Sequence, residues 1–277
     1  MLQQQIVRRE SGYNPGVQRA QFELHAAIEQ RHWWFVARRR IVEALVHEVI
    51  GGGDSAVALD VGCGTGANAA GLARSLTVHG MDTSADAIEL ARDHWQGVPF
   101  HHADVLDASV PLPADLSVVL LMDVLEHIKD DVRFLGGLVD RLPDGAHLLI
   151  TVPANPSLWS RHDEAFGHHR RYTRESLAAV WRDLPVTARL LSHYCAALYP
   201  AVWTVRSVLK PFAGAFGEAD TDFRMPPRPM NSVLREVFAG EKRRLVRLLQ
   251  GETQHPFPFG SSLVAVLRKN TGAAGAA

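Results

Sequence analysis

At 277 residues the chain is long enough to bury a full α/β core. Its 29 Lys and Arg against 30 Asp and Glu leave a net charge of −1, a balance that excludes a strongly basic surface and argues against nucleic acid as a partner. Two cysteines are too few for a disulfide framework, no signal-peptide core opens the chain, and no run reaches the ~18 apolar residues of a spanning helix, so a cytoplasmic setting is expected.

In chain order, the first dozen residues read as disordered, and residues 22–50 as one helix with Trp34, Ala37, Ile41 and Leu45 as its apolar stripe. The run AVALDV (56–61) is a first strand. It enters the glycine-dense segment VGCGTG, and residues 67–76 then read as helix. VHGMD (78–82) is a second strand, followed by a helix with Ser84 as its N-cap and Ala87, Ile88 and Ala91 on one face. A short third strand is expected at 98–104. A fourth, LSVVLLMD (116–123), is apolar enough to be buried on both faces. A helix over 131–142 stops at the turn Pro143, Asp144, Gly145, and AHLLITVPA (146–154) is a fifth strand. Such repeated βα units imply a parallel, doubly wound sheet. After a polar stretch at 154–172, Thr173 caps a helix to residue 184, 186–194 is a sixth strand, and 261–269 a seventh. The apolar run CAALYPAVWTV (195–205) is broken by Pro200 and reads as a buried helix, with peripheral membrane contact left open.

Glycines at Gly62, Gly64 and Gly66 allow positive φ and let the main chain approach a ligand with no Cβ in the way. After a strand and before a helix, the loop lies at the carboxyl edge of the sheet, where such folds bind ligands. Asp82 ends the second strand, placed for both hydroxyls of a ribose, and Asp104 ends the third, placed for an adenine amino group. The spacing G-C-G-T-G departs from the dinucleotide fingerprint, and Asp60 just before it would repel a pyrophosphate but accept an ammonium. Charge alone therefore favours S-adenosylmethionine over NAD.

The segments LDVGCGTG (59–66), GMDTSADAIELAR (80–92), HADV (102–105) and LLMDVLEHIKDD (120–131) together resemble the class I S-adenosylmethionine-dependent methyltransferases, of the methyltransferase-11/12-like small-molecule type. HWWFVARRR (32–40) and LWSRHDEAFGHHRRYT (158–173) resemble the flanks of one subgroup. The resemblance implies an α/β Rossmann-like sheet of order 3-2-1-4-5-7-6 with strand seven antiparallel. It implies S-adenosylmethionine as cofactor and S-adenosylhomocysteine as product. It places Asp60, Gly62 and Gly64 at the methionine part and Asp82 with Met81 at the ribose. Asp104 and Val105 would flank the adenine, and Met122 and Asp123 would lie beneath the cofactor. Gly66 completes the loop, in which Cys63 reads as a small filler. The expected organisation is a helical lid over 1–50, a cofactor-binding core over 51–153, and an acceptor loop, helix and sixth strand over 154–195. A helical insertion or acceptor cap follows over 196–260, then the seventh strand over 261–270 and a disordered tail over 271–277.

Catalytic candidates must sit beside the ends of strands four and five. Glu126 and His127 follow strand four, with helix capping as their structural alternative. The segment RHDEAFGHHRRY supplies His162 and His168 as candidate bases and Arg170 and Arg171 as candidate anion holders, with Tyr172 closing it. The alternative is a solvated loop whose arginines pair with Asp163 and Glu164. The His/Asp spacing there matches no standard metal pattern, so no metal is expected. Trp34 and Arg38, four residues apart, suit a lid with an arginine reaching the cofactor's carboxylate. Trp203, Phe212, Phe223 and Met225 are expected as walls of an acceptor pocket. The expected acceptor is a small molecule methylated on oxygen, a hydroxyl or carboxyl of a specialised metabolite. N- or C-methylation of a small or isoprenoid-like molecule is the alternative. An NAD-dependent oxidoreductase or a non-catalytic cofactor-binding protein are the readings from other classes. Oligomeric state is left open.

Overall fold

Alternating apolar runs become strands here because their Val, Leu and Ile side chains can be buried on both sheet faces. A computed structural model describes residues 15–51, 56–204 and 224–271. The strands are β1 (Val57–Val61), β2 (Thr77–Asp82), β3 (Phe100–His102), β4 (Leu116–Met122), β5 (His147–Pro153), β6 (Val186–Tyr194) and β7 (Ser262–Lys269). They form one sheet of order β3-β2-β1-β4-β5-β7-β6, with β7 antiparallel to both neighbours. This is the order and polarity that the resemblance implies. The sheet reverses its winding between β1 and β4, where Asp60 pairs Leu120 and Val61 pairs Leu121. A crevice opens at the carboxyl ends of strands at such a switch point.

Alternation along β4 divides the core. Val118, Leu120 and Met122 face one cluster, completed by Ile41, Leu45, Val264 and Phe238. Val119 and Leu121 face the other, with Leu135, Leu138, Ile150 and Leu177. The helices are α1 (Pro15–Ile28), α2 (Trp33–Ile50), α3 (Ala67–Leu72), α4 (Ala85–His94), α5 (Asp131–Arg141), α6 (Arg161–Ala165), α7 (Arg174–Val180), α8 (Tyr199–Thr204), α9 (Arg228–Ala239) and α10 (Lys242–Leu249). Ser84 and Thr173 cap α4 and α7 as expected, accepting the N–H groups of Ala87 and Ser176. The helices α3 and α7 end at Leu72 and Val180, short of the expected residues 76 and 184.

One helix expected over residues 22–50 is two. His32 is extended at φ −67° and ψ 132° and accepts the Trp34 N–H, so a new helix starts there. Asn231 on α9 fixes the break, accepting the Trp33 N–H at 2.9 Å and donating to the Arg31 carbonyl at 2.8 Å. The partner is some two hundred residues away, so no local pattern announced it. Helices α9 and α10 pack along α2, with Phe238 buried against Trp33 and Tyr194. Trp203 and Met225 are exposed, while Phe212 and Phe223 lie outside the described residues, as do residues 1–14 and 272–277 of the terminal segments. No described helix is long and apolar enough to cross a membrane.

Candidate active site

Three loop glycines have positive φ, 69° at Gly62, 54° at Gly64 and 85° at Gly66. A Cβ on Gly62 would meet Val124 at 2.7 Å, and one on Gly66 would meet Phe100 at 2.6 Å. At Gly64 nothing lies within 4 Å. Gly62 and Gly66 therefore let the protein pack on itself, and Gly64 faces the open crevice. The Gly64 N–H is held by Asp82 Oδ2 at 2.9 Å, while Asp82 Oδ1 accepts the Ser84 N–H at 2.8 Å. This carboxylate ties the loop to the end of β2 and stays half-buried at the edge of the crevice. Burial raises its pKa, against the pull of those N–H groups.

Asp60 is fully buried, and neither of its carboxylate oxygens makes a well-aligned hydrogen bond, with the Ala69 N–H near enough only to ease its charge. Burial pushes its pKa up to about 7, with Arg38 pulling down and Asp82 pushing up. Such an acid is costly unless something charged completes it. Met81 packs its side chain in the core, and its carbonyl accepts the N–H groups of Gly62 and Cys63. Cys63 is buried with its thiol pKa far above the usual value, which suits a filler. At the end of β3, Asp104 is exposed and caps the Leu106 N–H, while Val105 is buried beside it.

Asp123 follows β4 in the left-handed region at φ 57°, a conformation costly for a residue with a side chain. Three contacts hold it there: an ion pair with Arg38, the Thr151 hydroxyl at 3.1 Å, and its own N–H on the Thr151 carbonyl. Met122, buried beneath, touches the same hydroxyl through its sulfur. Arg38 is buried and stacks on Trp34, 4.4 Å from the ring centroid. The two expected lid residues thus reach the strand ends, where the Arg38 guanidinium pairs with the protein's own Asp123.

The structure commits much of the loop after β5 to internal pairs. Asp163 is fully buried. It accepts Arg171 Nε at 2.8 Å, His168 Nδ1 at 2.9 Å and the Ser160 N–H at 2.9 Å. Burial opposes its ionisation, yet the His168 and Arg171 contacts hold its pKa below the usual carboxylate range. Arg171 also donates to the Ala154 carbonyl, and Tyr172 is buried with its hydroxyl 2.7 Å from Asp131 Oδ2. Arg170 pairs with the same Asp131 at 2.8 Å and donates to the Lys129 carbonyl. Arg170, Arg171 and Tyr172, expected among the catalytic and acceptor-binding groups, thus already answer buried carboxylates of the fold, the pairing alternative with a different acid for Arg170.

Histidines and Glu126 do converge. The ring centroids of His127 and His168 are 4.7 Å apart at 84°, and His162 stands 6.3 Å from His168, against Phe166. Glu126 is fully buried, and both its oxygens lack partners. Burial, then the Asp123 charge, raises its pKa well above the usual range. Crowding of the His127 ring by protein, then by the His168 and His169 rings, lowers its pKa.

Three further residues belong to the site and carried no local signal. Glu29, at the helix break, accepts the Thr65 hydroxyl of the glycine loop at 2.8 Å. Tyr194, at the end of β6, is buried with its hydroxyl beside Thr151, close enough for the Asp123 and Arg38 charges to act on it. Gln21 on α1 donates to the Ala165 carbonyl at 2.7 Å, joining the front helix to the loop after β5.

With this geometry in place, comparison with known proteins is informative. Residues 33–184 match the model of a family described as a methyltransferase domain, more than half of the chain. The chain belongs to that family, within the class I S-adenosylmethionine-dependent methyltransferases. A ubiquinone biosynthesis O-methyltransferase of Sodalis glossinidius is 36% identical over 36% of this chain and 43% of its own. A probable S-adenosylmethionine-dependent methyltransferase of Mycolicibacterium smegmatis is 27% identical over 58% of this chain and 60% of its own. A trans-aconitate 2-methyltransferase of Rhodopseudomonas palustris is 30% identical over 46% and 51%. The chain thus spans between 43% and 60% of the length of these methyltransferases. Among solved structures, the plantazolicin methyltransferase BamL, in complex with a substrate analogue and S-adenosylhomocysteine, superposes with a TM-score of 0.55 at 16% identity, over 92% of this chain and 90% of its own. The [4+2]-cyclase SpnF superposes at 0.52 with 17% identity over 84% and 82%. These two share the fold, and one is a methyltransferase while the other is a cyclase, so the fold alone does not name a reaction.

Proposed function

We propose that this chain transfers the sulfonium methyl group of S-adenosylmethionine to an oxygen of a small hydroxyl- or carboxyl-bearing metabolite, releasing S-adenosylhomocysteine. The observation that carries the reading is Asp60: a fully buried carboxylate without a well-aligned hydrogen bond, at the foot of a glycine loop whose Gly64 faces open space. An amino acid's ammonium completes that acid, whereas a pyrophosphate would be repelled. Asp82, half-buried at the edge of the crevice, serves the ribose hydroxyls. Asp104 and Val105 bound the adenine side, and Met122 with Asp123 lies beneath the methionine part. Arg38 is the cation available to the ligand's carboxylate, exchanging it for Asp123.

In the reaction the sulfur–methyl bond breaks as the oxygen–methyl bond forms, and the oxygen's proton must leave. The donor is already activated, so the protein's tasks are alignment and removal of that proton. Glu126, His127 and His168 gather beside Asp123 for the second task. Two of the relatives named above, with O-methyl transfer in one name and a carboxylic acid in the other, support oxygen as the acceptor atom. We further propose the division expected from sequence, with residues 1–50 as lid, 51–153 as cofactor core and 154–195 with 196–260 on the acceptor side. Two buried free thiols, Cys63 and Cys195, support a reducing cytoplasm as the setting. The test is methyl uptake from labelled S-adenosylmethionine across a panel of hydroxyl- and carboxyl-bearing metabolites. Base-labile or ether-linked product with loss of uptake in Asp60→Asn is the expected result. Methyl transfer found only on nitrogen or carbon acceptors would overturn the oxygen assignment.

A further inference from the structure

We propose that Glu126, His127 and His168 bind one divalent transition-metal ion of the zinc or cobalt class, on the acceptor side of the sheet edge. Each residue offers one ligand atom, and the three atoms lie within 4.8 Å of one another. Around a tetrahedral ion with bonds of about 2.0–2.1 Å, ligand atoms stand roughly 3.3 Å apart. With His168 held by Asp163, rotation of the exposed His127 side chain and of the unpartnered Glu126 carboxylate is what would narrow that difference.

Two independent observations point to a cation. The Glu126 carboxylate is fully buried, and neither oxygen has a hydrogen-bond partner. The nearby guanidinium groups are engaged elsewhere, Arg38 with Asp123 and Arg171 with Asp163 and the Ala154 carbonyl. The second is the orientation of His168. Its Nδ1 donates to Asp163 Oδ1 at 2.9 Å, which leaves Nε2 with its lone pair turned away from that acid. A carboxylate behind a ligating imidazole fixes its tautomer and raises its basicity, the arrangement that metal-binding histidines favour. Asp163 is suited to the task because Arg171 and Ser160 keep it ionised and immobile. The backbone fixes the two arms as well: the His169 N–H donates to the Glu126 carbonyl at 2.7 Å, clamping the loop after β5 to the turn after β4.

Two imidazoles and one carboxylate suit a borderline ion and leave coordination positions for water or an acceptor oxygen. No spacing within one segment announces the site, because its ligands come from two loops, 126–127 and 168. Use of the ion to hold and acidify an acceptor hydroxyl rests on the methyl-transfer reading. Binding of the ion does not.

The full-length chain, stripped with chelator, is titrated with Co²⁺ alone and read by visible ligand-field absorption. The expected result is a signal that saturates at one equivalent and is displaced by Zn²⁺. Glu126→Gln and His168→Ala should each weaken binding by ~100-fold or more, and Asp163→Asn by about 10- to 100-fold. His169→Ala, a neighbour outside the set, should bind as the unaltered chain does. Melting curves accompany every variant. Should Glu126→Gln fail to fold, His168→Ala carries the comparison, since that ring lies on a loop. Absence of a saturable signal from the unaltered chain, or equal binding by His168→Ala, overturns the proposal. Calorimetry with S-adenosylhomocysteine on the metal-free chain separates the two ideas: normal binding there with no Co²⁺ site removes the metal and leaves the methyltransferase reading standing.

Discussion

Gly62, Gly64 and Gly66 share a motif and a positive φ, but different neighbours require them. A methyl group on Gly66 must enter the Phe100 ring, whereas on Gly64 it enters open space and meets only backbone strain. Gly64→Ala should therefore lose about 1–2 kcal/mol of stability and most of its affinity for S-adenosylhomocysteine. Gly66→Ala should lose more stability than that, and melting curves beside ligand titrations separate the two. Asp60 carries the pH dependence. Its folded pKa of about 7 lies above that of an unfolded aspartate, so between about 4 and 7 the folded chain holds a proton the unfolded chain has lost. Its contribution to stability accordingly falls as pH rises through that window. Ligand affinity runs the other way, because the ammonium needs the ionised acid. S-adenosylhomocysteine should bind about tenfold more weakly at pH 6 than at pH 8, and the slope should vanish in Asp60→Asn. Asp60, Asp82 and the three glycines were legible in the sequence because their chemistry sits within a few residues of predicted strand ends. The pairs that Arg170, Arg171 and Tyr172 make with Asp131 and Asp163 were not legible, because those acids meet them only through the fold.

Elements were easier to read than their breaks. Every strand was expected, because apolar runs bounded by turn residues announce themselves locally. The split between α1 and α2 was not, since Asn231 stabilises it from the other end of the chain. The loop after β5 shows the same limit: its charges were expected to face an acceptor or, in the alternative, solvent, yet Asp163 and Arg171 are both buried and paired at 2.8 Å. Removing one partner of a buried ion pair strands the other. Arg171→Ala should thus cost about 3–5 kcal/mol, read as a lowered urea midpoint. At temperatures where it remains folded, its affinity for S-adenosylhomocysteine should stay near that of the unaltered chain. An arginine that served the acceptor would instead leave the midpoint unchanged and raise the acceptor KM.

Across the molecule, the front helices, the glycine loop and the loop after β5 meet at one end of the sheet. Glu29 reaches Thr65, Gln21 reaches Ala165, and the His25 and Phe166 rings stack at 5.2 Å. The switch point between β1 and β4 brings Asp60, on β1, and Asp123, just past the end of β4, to the same edge of the sheet. The fold admits more than one reaction, as the cyclase that shares it demonstrates, so what must be tested is the proposal that Asp60 selects S-adenosylmethionine. Isothermal titration of the full chain at pH 8 with S-adenosylhomocysteine and with NAD tests this most directly. The account predicts one saturable site for S-adenosylhomocysteine, strongly weakened in Asp60→Asn, and no binding of NAD. Saturable NAD binding, or unchanged S-adenosylhomocysteine affinity in Asp60→Asn, would contradict it.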